Sequence, residues 1–274
     1  MFISPKRLVS GMLIAALSLS ACTIPVDRVA SKSKATSTTT VTLTAPTPRP
    51  GSLDGTVLAT IATNVEAETG AQVGIAVDGM VAGSILSGPA WSTAKVPVAI
   101  AALRQSTDHY EAMRSAITTS DNASAQQLWD ALGGGEPAAE AATAILREGG
   151  DLSTHIQPFV QRDGFSAFGQ TQWSLIDQTT FAQRLTTIPQ AESVFAAMAE
   201  IAPDQRYGLG LFPGAQFKGG WGPEPDQGYL VRQFGVIPAT NGPVAVAVIA
   251  KADNYAAGQS ALTALAVKLQ PHVH

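Results

Sequence analysis

Apolar residues recur along this chain with two different periods, and the order of the two periods predicts the fold. Helical spacing is found in seven segments: 57–68, 95–104, 110–132, 137–147, 174–185, 192–201 and 256–269. Alternation or short apolar runs typical of strands occur in five: 72–77, 80–86, 216–218, 230–237 and 244–251. Asp78-Gly79, between the first two strands, is a hairpin turn signal.

This order predicts an α/β (α+β) domain: a helix, two strands, a block of helices, three strands and a last helix. Strands from both ends of the chain pair into one antiparallel sheet flanked by helices, and an all-helical lobe is inserted over about 91–204. Residues 149–172 show little periodicity and are predicted to form a long loop. A functional cleft is expected between the sheet and the lobe.

The first residues predict where the protein acts. Lys6 and Arg7 precede a mostly apolar run over 8–19, which is too short to span a bilayer and is typical of a secretory signal peptide. The run ends in Leu19-Ser20-Ala21-Cys22, which resembles the bacterial lipobox, whose cysteine is lipidated after cleavage. The alternative is an ordinary cleavage site beside a chance cysteine. We expect Cys22 to carry fatty acyl chains such as palmitate and to anchor the protein to the extracytoplasmic face of the cell membrane.

Three regions of the chain are predicted. Residues 1–21 form the signal peptide, and 22–50 carry the lipidated cysteine and a tether rich in Ser, Thr and Pro. Such a tether cannot bury enough apolar surface to fold, so we expect it to be disordered. The folded domain is predicted over 51–274.

Composition excludes several classes of function. The chain has 274 residues, of which 45% are hydrophobic and 14% charged, and this favours a folded core over disorder. Its single cysteine excludes an intramolecular disulfide and a cysteine-based zinc site, and four scattered histidines argue against another metal centre, so no metal or cofactor is predicted. A net charge of −4 without a Lys/Arg cluster argues against a nucleic-acid partner. We expect a monomer.

The first candidate for catalytic chemistry is Ser92-Thr93-Ala94-Lys95, at the start of the predicted helix 95–104. Residues three apart on a helix share a face, so the serine and the lysine are expected side by side. A serine hydroxyl needs a neighbouring base to attack a carbonyl, and a lysine serves when burial lowers its pKa. One such pattern is expected by chance in a chain of this length.

Two further motifs follow in the chain. Ser120-Asp121-Asn122 interrupts a helical segment with residues that favour caps and turns, either to present a hydroxyl and a carboxamide or simply to break the helix. Lys218-Gly219-Gly220-Trp221 lies on a predicted strand, where glycines allow a ligand or another backbone to come close.

In this order the three motifs resemble the S-x-x-K, S-D-N and K-T-G set of class A β-lactamases and penicillin-binding proteins. The segment after Asn122 and the helix after Lys95 are also similar to that family, and the resemblance runs from about Leu53 to Leu269. It implies a β-lactamase/transpeptidase-like fold and an acyl-enzyme mechanism.

The resemblance assigns catalytic roles to four residues. Ser92 attacks the carbonyl of a β-lactam or of a D-Ala-D-Ala peptidoglycan stem peptide, and Lys95 is its base or part of the proton relay. Ser120 passes a proton to the leaving nitrogen. Lys218 supplies positive potential for Ser120 and for the substrate carboxylate.

The resemblance also implies three substrate-binding residues. Asn122 holds the substrate amide and orients the catalytic lysine, and Gly220 and Trp221 lie on the strand that borders the substrate. The backbone N–H groups of Ser92 and Trp221 form the oxyanion hole. The Trp221 side chain is as readily a packing residue as a cleft residue, whereas Trp91, Trp129 and Trp173 are expected to pack in the core.

Three departures from the family pattern affect the expected activity. The loop 155–170 contains no glutamate to activate the deacylating water, and its only carboxylate is Asp163. Gly219 stands where the family has a threonine or serine hydroxyl. The 28 residues from Ser92 to Ser120 are too few for one helical element of the family's cleft wall.

These observations leave three functions open. The first is an exported serine hydrolase of the β-lactamase or penicillin-binding type with slow deacylation. The second is a weak or inactive relative, a lipoprotein with a cell-envelope binding or scaffolding role. A fast β-lactamase is the third, and the missing glutamate argues most strongly against it.

Overall fold

The computed structural model describes residues 53–273, and in them the two ends of the folded chain meet in one sheet. The predicted signal peptide, Cys22 and the tether lie outside the described residues. The strands are β1 Gln72–Val77, β2 Met80–Gly83, β3 Ser87–Pro89, β4 Gln172–Ser174, β5 Gln216–Pro223, β6 Tyr229–Ile237 and β7 Val244–Ala252.

Five of these strands form an antiparallel sheet in the order β2-β1-β7-β6-β5, and β3 pairs with β4 in a separate two-stranded ribbon. In the sheet Ile75 of β1 pairs with Val248 of β7, and Gly220 of β5 pairs with Arg232 of β6. The predicted pairing of N-terminal with C-terminal strands is therefore confirmed. β5 lies at one edge of the sheet.

Helices cover both faces of the sheet. The eight α-helices of the described residues are α1 Gly55–Thr69, α2 Lys95–Gln105, α3 Tyr110–Thr118, α4 Asn122–Ala131, α5 Gly135–Glu148, α6 Leu175–Arg184, α7 Glu192–Ala197 and α8 Tyr255–Leu269. α1 and α8 contact each other and one side of the sheet, and α6 contacts β1, β6 and β7 from the other side. Because β7 is covered on both faces, six consecutive residues of it, 245–250, are buried.

An aromatic cluster fills the space between α6 and the sheet. Trp173 lies with its ring centroid 5.8 Å from that of Phe181 and 5.2 Å from that of Phe234. Trp91 and Trp129 are also buried, so the prediction that these three tryptophans pack in the core is confirmed.

The elements differ from the sequence predictions where the local pattern was weak. β2 ends at Gly83 rather than near residue 86. Gly83 has a positive φ of 113°, and the Ser84 N–H donates to Val73 O of β1 at 2.9 Å and to the Glu66 carboxylate at 3.2 Å. β5 continues beyond Lys218 to Pro223, and the short strands β3 and β4 were not predicted. The segment 110–132, expected to form one or two helices, forms two, and Ser120 lies between them.

Between 53 and 273 no helix combines the length and the apolar character needed to cross a membrane. The same part of the chain brings no three His, Cys, Asp or Glu side chains together in a way that could hold a metal ion.

Candidate active site

A tight turn carries the candidate nucleophile. Trp91 has a left-handed backbone with φ 49°, and a 3₁₀ turn over Trp91–Ala94 leads directly into α2. The half-buried Ser92 is the second residue of that turn. The Trp91 ring packs edge-on against Phe165 at 5.1 Å and lies directly over the backbone of Gly222. A non-glycine residue in this conformation is strained, and the packing of its ring on both sides holds it there.

Lys95, the first residue of α2, is 1% exposed and directs its ammonium group into the second motif. Its Nζ donates to the backbone oxygens of Ser120 at 2.5 Å and Asp121 at 3.2 Å, and to Asn122 Oδ1 at 2.8 Å. It also lies 3.4 Å from Ser120 Oγ. The Ser92 hydroxyl, one turn earlier, is not among these acceptors.

Burial sets the protonation of Lys95. Removal of the ammonium group from water lowers the pKa of Lys95 to about 7, and the carboxylate of Asp121 opposes that shift only in part. A large neutral fraction is therefore present near neutral pH. A neutral lysine accepts a proton, so Lys95 meets the requirement for a general base.

Ser120 lies at the break between α3 and α4 and has a left-handed backbone with φ 60°. This conformation directs its carbonyl oxygen at Lys95, while its hydroxyl accepts a hydrogen bond from Lys218 Nζ at 2.9 Å. Asp121, the next residue, caps α4 by accepting the N–H of Ser124 at 2.6 Å. The Ser-Asp-Asn motif thus separates α3 from α4 and also provides hydrogen-bond acceptors for Lys95 and Lys218.

Lys218 lies on β5 and is fully buried beneath the cleft. Its Nζ donates to Ser120 Oγ and to the carbonyl oxygen of Gly219, each at 2.9 Å. Burial and, to a smaller extent, the neighbouring Lys95 hold the pKa of Lys218 well below its usual range. The Ser120 hydroxyl therefore lies between two buried amines.

The glycines of β5 differ in what surrounds them. A Cβ atom on Gly220 would lie 2.8 Å from both Ala90 O and Ser92 N, so only glycine lets β5 come this close to the turn. On Gly219 the nearest atoms to a Cβ would be 3.8 Å away, which leaves room for a side chain. The third motif therefore contacts the first through Gly220.

Ser92, Ser120, Asn122 and Trp221 line one cleft of about 980 Å³. Lys95 and Lys218 lie behind its wall. The remaining wall is largely apolar and includes Trp91, Trp129, Pro158, Phe159, Val160, Phe165 and Tyr229. The structure thus brings all seven predicted site residues together, and Trp221, left open by the sequence, both lines the cleft and packs 5.2 Å from the Tyr255 ring.

The loop opposite β5 is attached to the site by Arg162, a residue that sequence reasoning did not single out. Its Nη2 donates to Pro223 O at 2.6 Å, and its guanidinium lies 4.2 Å from the centroid of the Phe165 ring. Asp163, beside it, is exposed and lines the cleft. No sequence pattern indicated Arg162, because its hydrogen-bond partner Pro223 lies 61 positions away in the sequence.

Solved structures with the same fold are numerous. The β-lactamase of Sphaerobacter thermophilus is 17% identical, with a TM-score of 0.61 over 80% of this chain and 98% of that one. The chromosome-encoded β-lactamase of Vibrio parahaemolyticus is 15% identical, with a TM-score of 0.59 over 78% and 98% of the two chains. A class A β-lactamase from Bacteroides cellulosilyticus is 14% identical, with a TM-score of 0.58 over the same shares.

This chain therefore has the fold of the class A β-lactamases, and the predicted β-lactamase/transpeptidase-like architecture is confirmed. No protein-family model matches the sequence, and no curated protein is significantly similar to it. At these identities the likeness establishes the fold alone.

Proposed function

We propose that this protein is an exported serine acyl-enzyme protein that takes its acyl group from a β-lactam or from a D-Ala-D-Ala peptide of peptidoglycan. The observation that carries the proposal is the Ser120 hydroxyl, which accepts a hydrogen bond from Lys218 at 2.9 Å and faces Lys95 at 3.4 Å. Ser92 lines the same cleft. An acyl transfer needs a nucleophile, a base with a lowered pKa and a proton donor for the leaving group, and this cleft offers all three.

In the proposed reaction, Ser92 Oγ attacks the carbonyl carbon and gives its proton to neutral Lys95. The carbon–nitrogen bond of the substrate then breaks, and the leaving nitrogen takes the hydroxyl proton of Ser120. Ser120 recovers a proton from the Lys95 ammonium, 3.4 Å away. One proton has then moved from Ser92 to the leaving nitrogen, and the acyl group remains on Ser92 as an ester.

Backbone and side-chain donors support the developing charge in this reaction. The N–H groups of Ser92 and Trp221 hold the carbonyl oxygen as it becomes negative. The contact of Gly220 with Ser92 N supports this assignment, because Trp221 follows Gly220 directly on β5. Asn122 accepts from Lys95 through Oδ1, which leaves its amide N–H groups free to hold a substrate carbonyl.

Release of the acyl group is expected to be slow. The loop 155–170 contains no glutamate, and its single carboxylate, Asp163, is exposed at the edge of the cleft. General-base assistance contributes about 10²–10⁴-fold to rates of this kind. The acyl-enzyme should therefore accumulate, as in a penicillin-binding protein rather than in a fast β-lactamase.

The second candidate is a catalytically weak or inactive cell-envelope protein that binds or scaffolds a partner. Gly219 favours it, because the family's hydroxyl for the substrate carboxylate is missing there. This candidate predicts the same partner binding before and after Ser92→Ala.

Labelling with a fluorescent penicillin separates the two candidates. The purified domain should acquire a stable label, Ser92→Ala should abolish it, and Ser260→Ala, an exposed serine on α8, should retain it. If wild type stays unlabelled after hours at high probe concentration, the acyl-enzyme proposal fails and the binding role is favoured.

Export and lipid anchoring remain part of the proposal. The apolar run over 8–19, the lipobox-like Leu19-Ser20-Ala21-Cys22 and the tether up to residue 50 support a lipoprotein on the outer face of the cell membrane. Radiolabelled palmitate should enter the full-length protein in a bacterial host, and Cys22→Ser should abolish its incorporation. Equal labelling of both would contradict lipidation at Cys22.

A further inference from the structure

A chain of buried polar side chains lies behind the turn that carries Ser92. Gln178 of α6 donates from Nε2 to Thr93 Oγ1 at 3.1 Å and accepts from Arg232 Nη2 at 2.6 Å. Thr93 in turn donates its hydroxyl to the carbonyl oxygen of Ala90. Thr93, Gln178 and Arg232 are all 0% exposed. None of these three side chains lines the cleft, so none of them contacts the substrate in the proposed acylation of Ser92.

Arg232 is unusual among them because all its acceptors are neutral. Its guanidinium donates to the carbonyl oxygens of Gly88 at 2.7 Å, Pro89 at 3.0 Å and Trp173 at 2.9 Å, besides Gln178. Within the described residues its Nε has no partner. Burial lowers the pKa of Arg232 to about 9. Placing a cation in the interior without a carboxylate is unfavourable, so hydrophobic packing alone does not explain this residue.

The backbone acceptors of these bonds lie just before the nucleophile, and Thr93 directly after it supplies a side-chain hydroxyl. Arg232 holds the carbonyl groups of Gly88 and Pro89, and the Thr93 hydroxyl closes the turn onto Ala90. Gly220, which is paired with Arg232 in the sheet, approaches the same turn closely. Trp91, whose backbone is left-handed with φ 49°, is the first residue of this turn.

We propose that Arg232, through Gln178 and Thr93, is a positioning residue that holds the Ser92 turn against β5 in the geometry needed for attack. The inference rests on the proposed function for its kinetic consequence, but the position of the turn can be measured without any reaction. Loss of the hydrogen bonds among Arg232, Gln178 and Thr93 should loosen the turn and leave the substrate-binding wall of the cleft in place. A displacement of about 1 Å at a nucleophile lowers its reactivity by about 10²-fold.

The test uses three variants of buried threonines. Thr93→Val removes the hydroxyl that links Gln178 to the turn, and Thr93→Ser restores it. Thr179→Val is the matched control: Thr179 is equally buried on α6, but its hydroxyl bonds only to Ile176 O of its own helix. Acylation by benzylpenicillin is resolved into the dissociation constant of the first complex and the rate constant of acylation, and backbone hydrogen exchange is measured by NMR.

Thr93→Val should lower the acylation rate constant by about 10–100-fold with little change in the dissociation constant, and should speed exchange over Trp91–Lys95. Thr93→Ser should return both to within about threefold of wild type, and Thr179→Val should match wild type at the turn. Gln178→Leu should reproduce Thr93→Val.

Two results would overturn the inference: Thr93→Val indistinguishable from Thr179→Val in both measurements, or a loss confined to the dissociation constant. If wild type itself is not acylated, the proposed function fails, and the hydrogen exchange still decides the positioning role. Unchanged exchange over Trp91–Lys95 in Thr93→Val would then count against it.

Discussion

Lys95 and Lys218 point at the same hydroxyl but have different surroundings. Lys95 is faced by the backbone carbonyls of Ser120 and Asp121 and by the Asn122 amide oxygen, besides the Ser120 hydroxyl. Among the described residues Lys218 donates only to the Ser120 hydroxyl and to the carbonyl oxygen of Gly219. Lys95 therefore has more acceptors with which to stabilise its protonated form. Lys218 is better suited to keep the Ser120 hydroxyl oriented.

The acylation rate should follow the titration of Lys95. Its pKa is lowered to about 7, so the rate constant for acylation by benzylpenicillin should rise between pH 6 and pH 8 and level off above. Lys95→Arg, which stays protonated, should show no acylation over the same range. Rapid quench-flow at each pH measures the rate constant of acylation. A rate constant that does not change with pH would exclude Lys95 as the base.

Gly219→Thr should restore the family's missing hydroxyl. The nearest atoms to a Cβ at this position are 3.8 Å away, so the first carbon of a side chain is accommodated in ordinary van der Waals contact. A hydrogen bond to a substrate carboxylate is worth about 1.5–3 kcal/mol, so the dissociation constant for benzylpenicillin should fall about 10–100-fold. Gly219→Ala, which adds the carbon without the hydroxyl, is the control. Equal binding by both variants would show that the cleft does not hold a carboxylate there.

The site residues were predictable from the sequence, but their bonds were not. Three motifs in a fixed order identified Ser92, Lys95, Ser120 and Lys218, because each motif carries its own chemistry. The acceptors of Lys95 are placed by the left-handed backbone of Ser120. No local preference predicts that conformation for a serine.

At the scale of elements, the contact between β5 and the Ser92 turn assembles the site. It joins residues more than a hundred positions apart and depends on the absence of a side chain at Gly220. β5 itself was predicted only to Lys218, because its glycine-rich continuation has no apolar alternation. Pairing with β6 overrides the weak strand preference of those glycines.

Gly220→Ala should separate the two elements. The added carbon would meet backbone atoms of Ala90 and Ser92 at 2.8 Å, and neither can rotate away. We expect acylation about 100-fold slower and a loss of about 1–3 kcal/mol in the free energy of unfolding, measured by urea denaturation. Gly219→Ala should lose far less on both measures. Similar losses in the two variants would contradict the close approach.

The remaining differences between prediction and structure have similar causes. β3 and β4 span three residues each, too few for a period to show, and they are held partly by the distant guanidinium of Arg232. The link from Gln178 to Thr93 crosses 85 positions of sequence. Long-range polar contacts of this kind leave no periodic signal in a single sequence.

At the scale of the whole molecule, the buried basic groups make stability depend on pH. In the unfolded chain the Lys95 side chain keeps its proton up to its ordinary pKa, whereas in the folded state it loses the proton near 7. The unfolded state therefore binds more protons between about pH 7 and pH 10, and Lys218 acts in the same direction. The free energy of unfolding should rise across this range.

Urea denaturation at intervals from pH 6 to pH 10 measures that rise. Lys95→Met, which has no proton to lose, should show a smaller increase over the same range. A free energy of unfolding that stays flat or falls from pH 7 to pH 10 in wild type would contradict the buried, easily deprotonated lysine.

The central claim is that Ser92 forms a covalent acyl-enzyme, and intact-mass measurement after incubation with benzylpenicillin tests it most directly. Ring opening keeps the leaving nitrogen attached, so the mass of wild type should increase by one whole benzylpenicillin and persist for hours after excess drug is removed. Ser92→Ala should show no increase. An unchanged wild-type mass, or an equal adduct on Ser92→Ala, would contradict the claim.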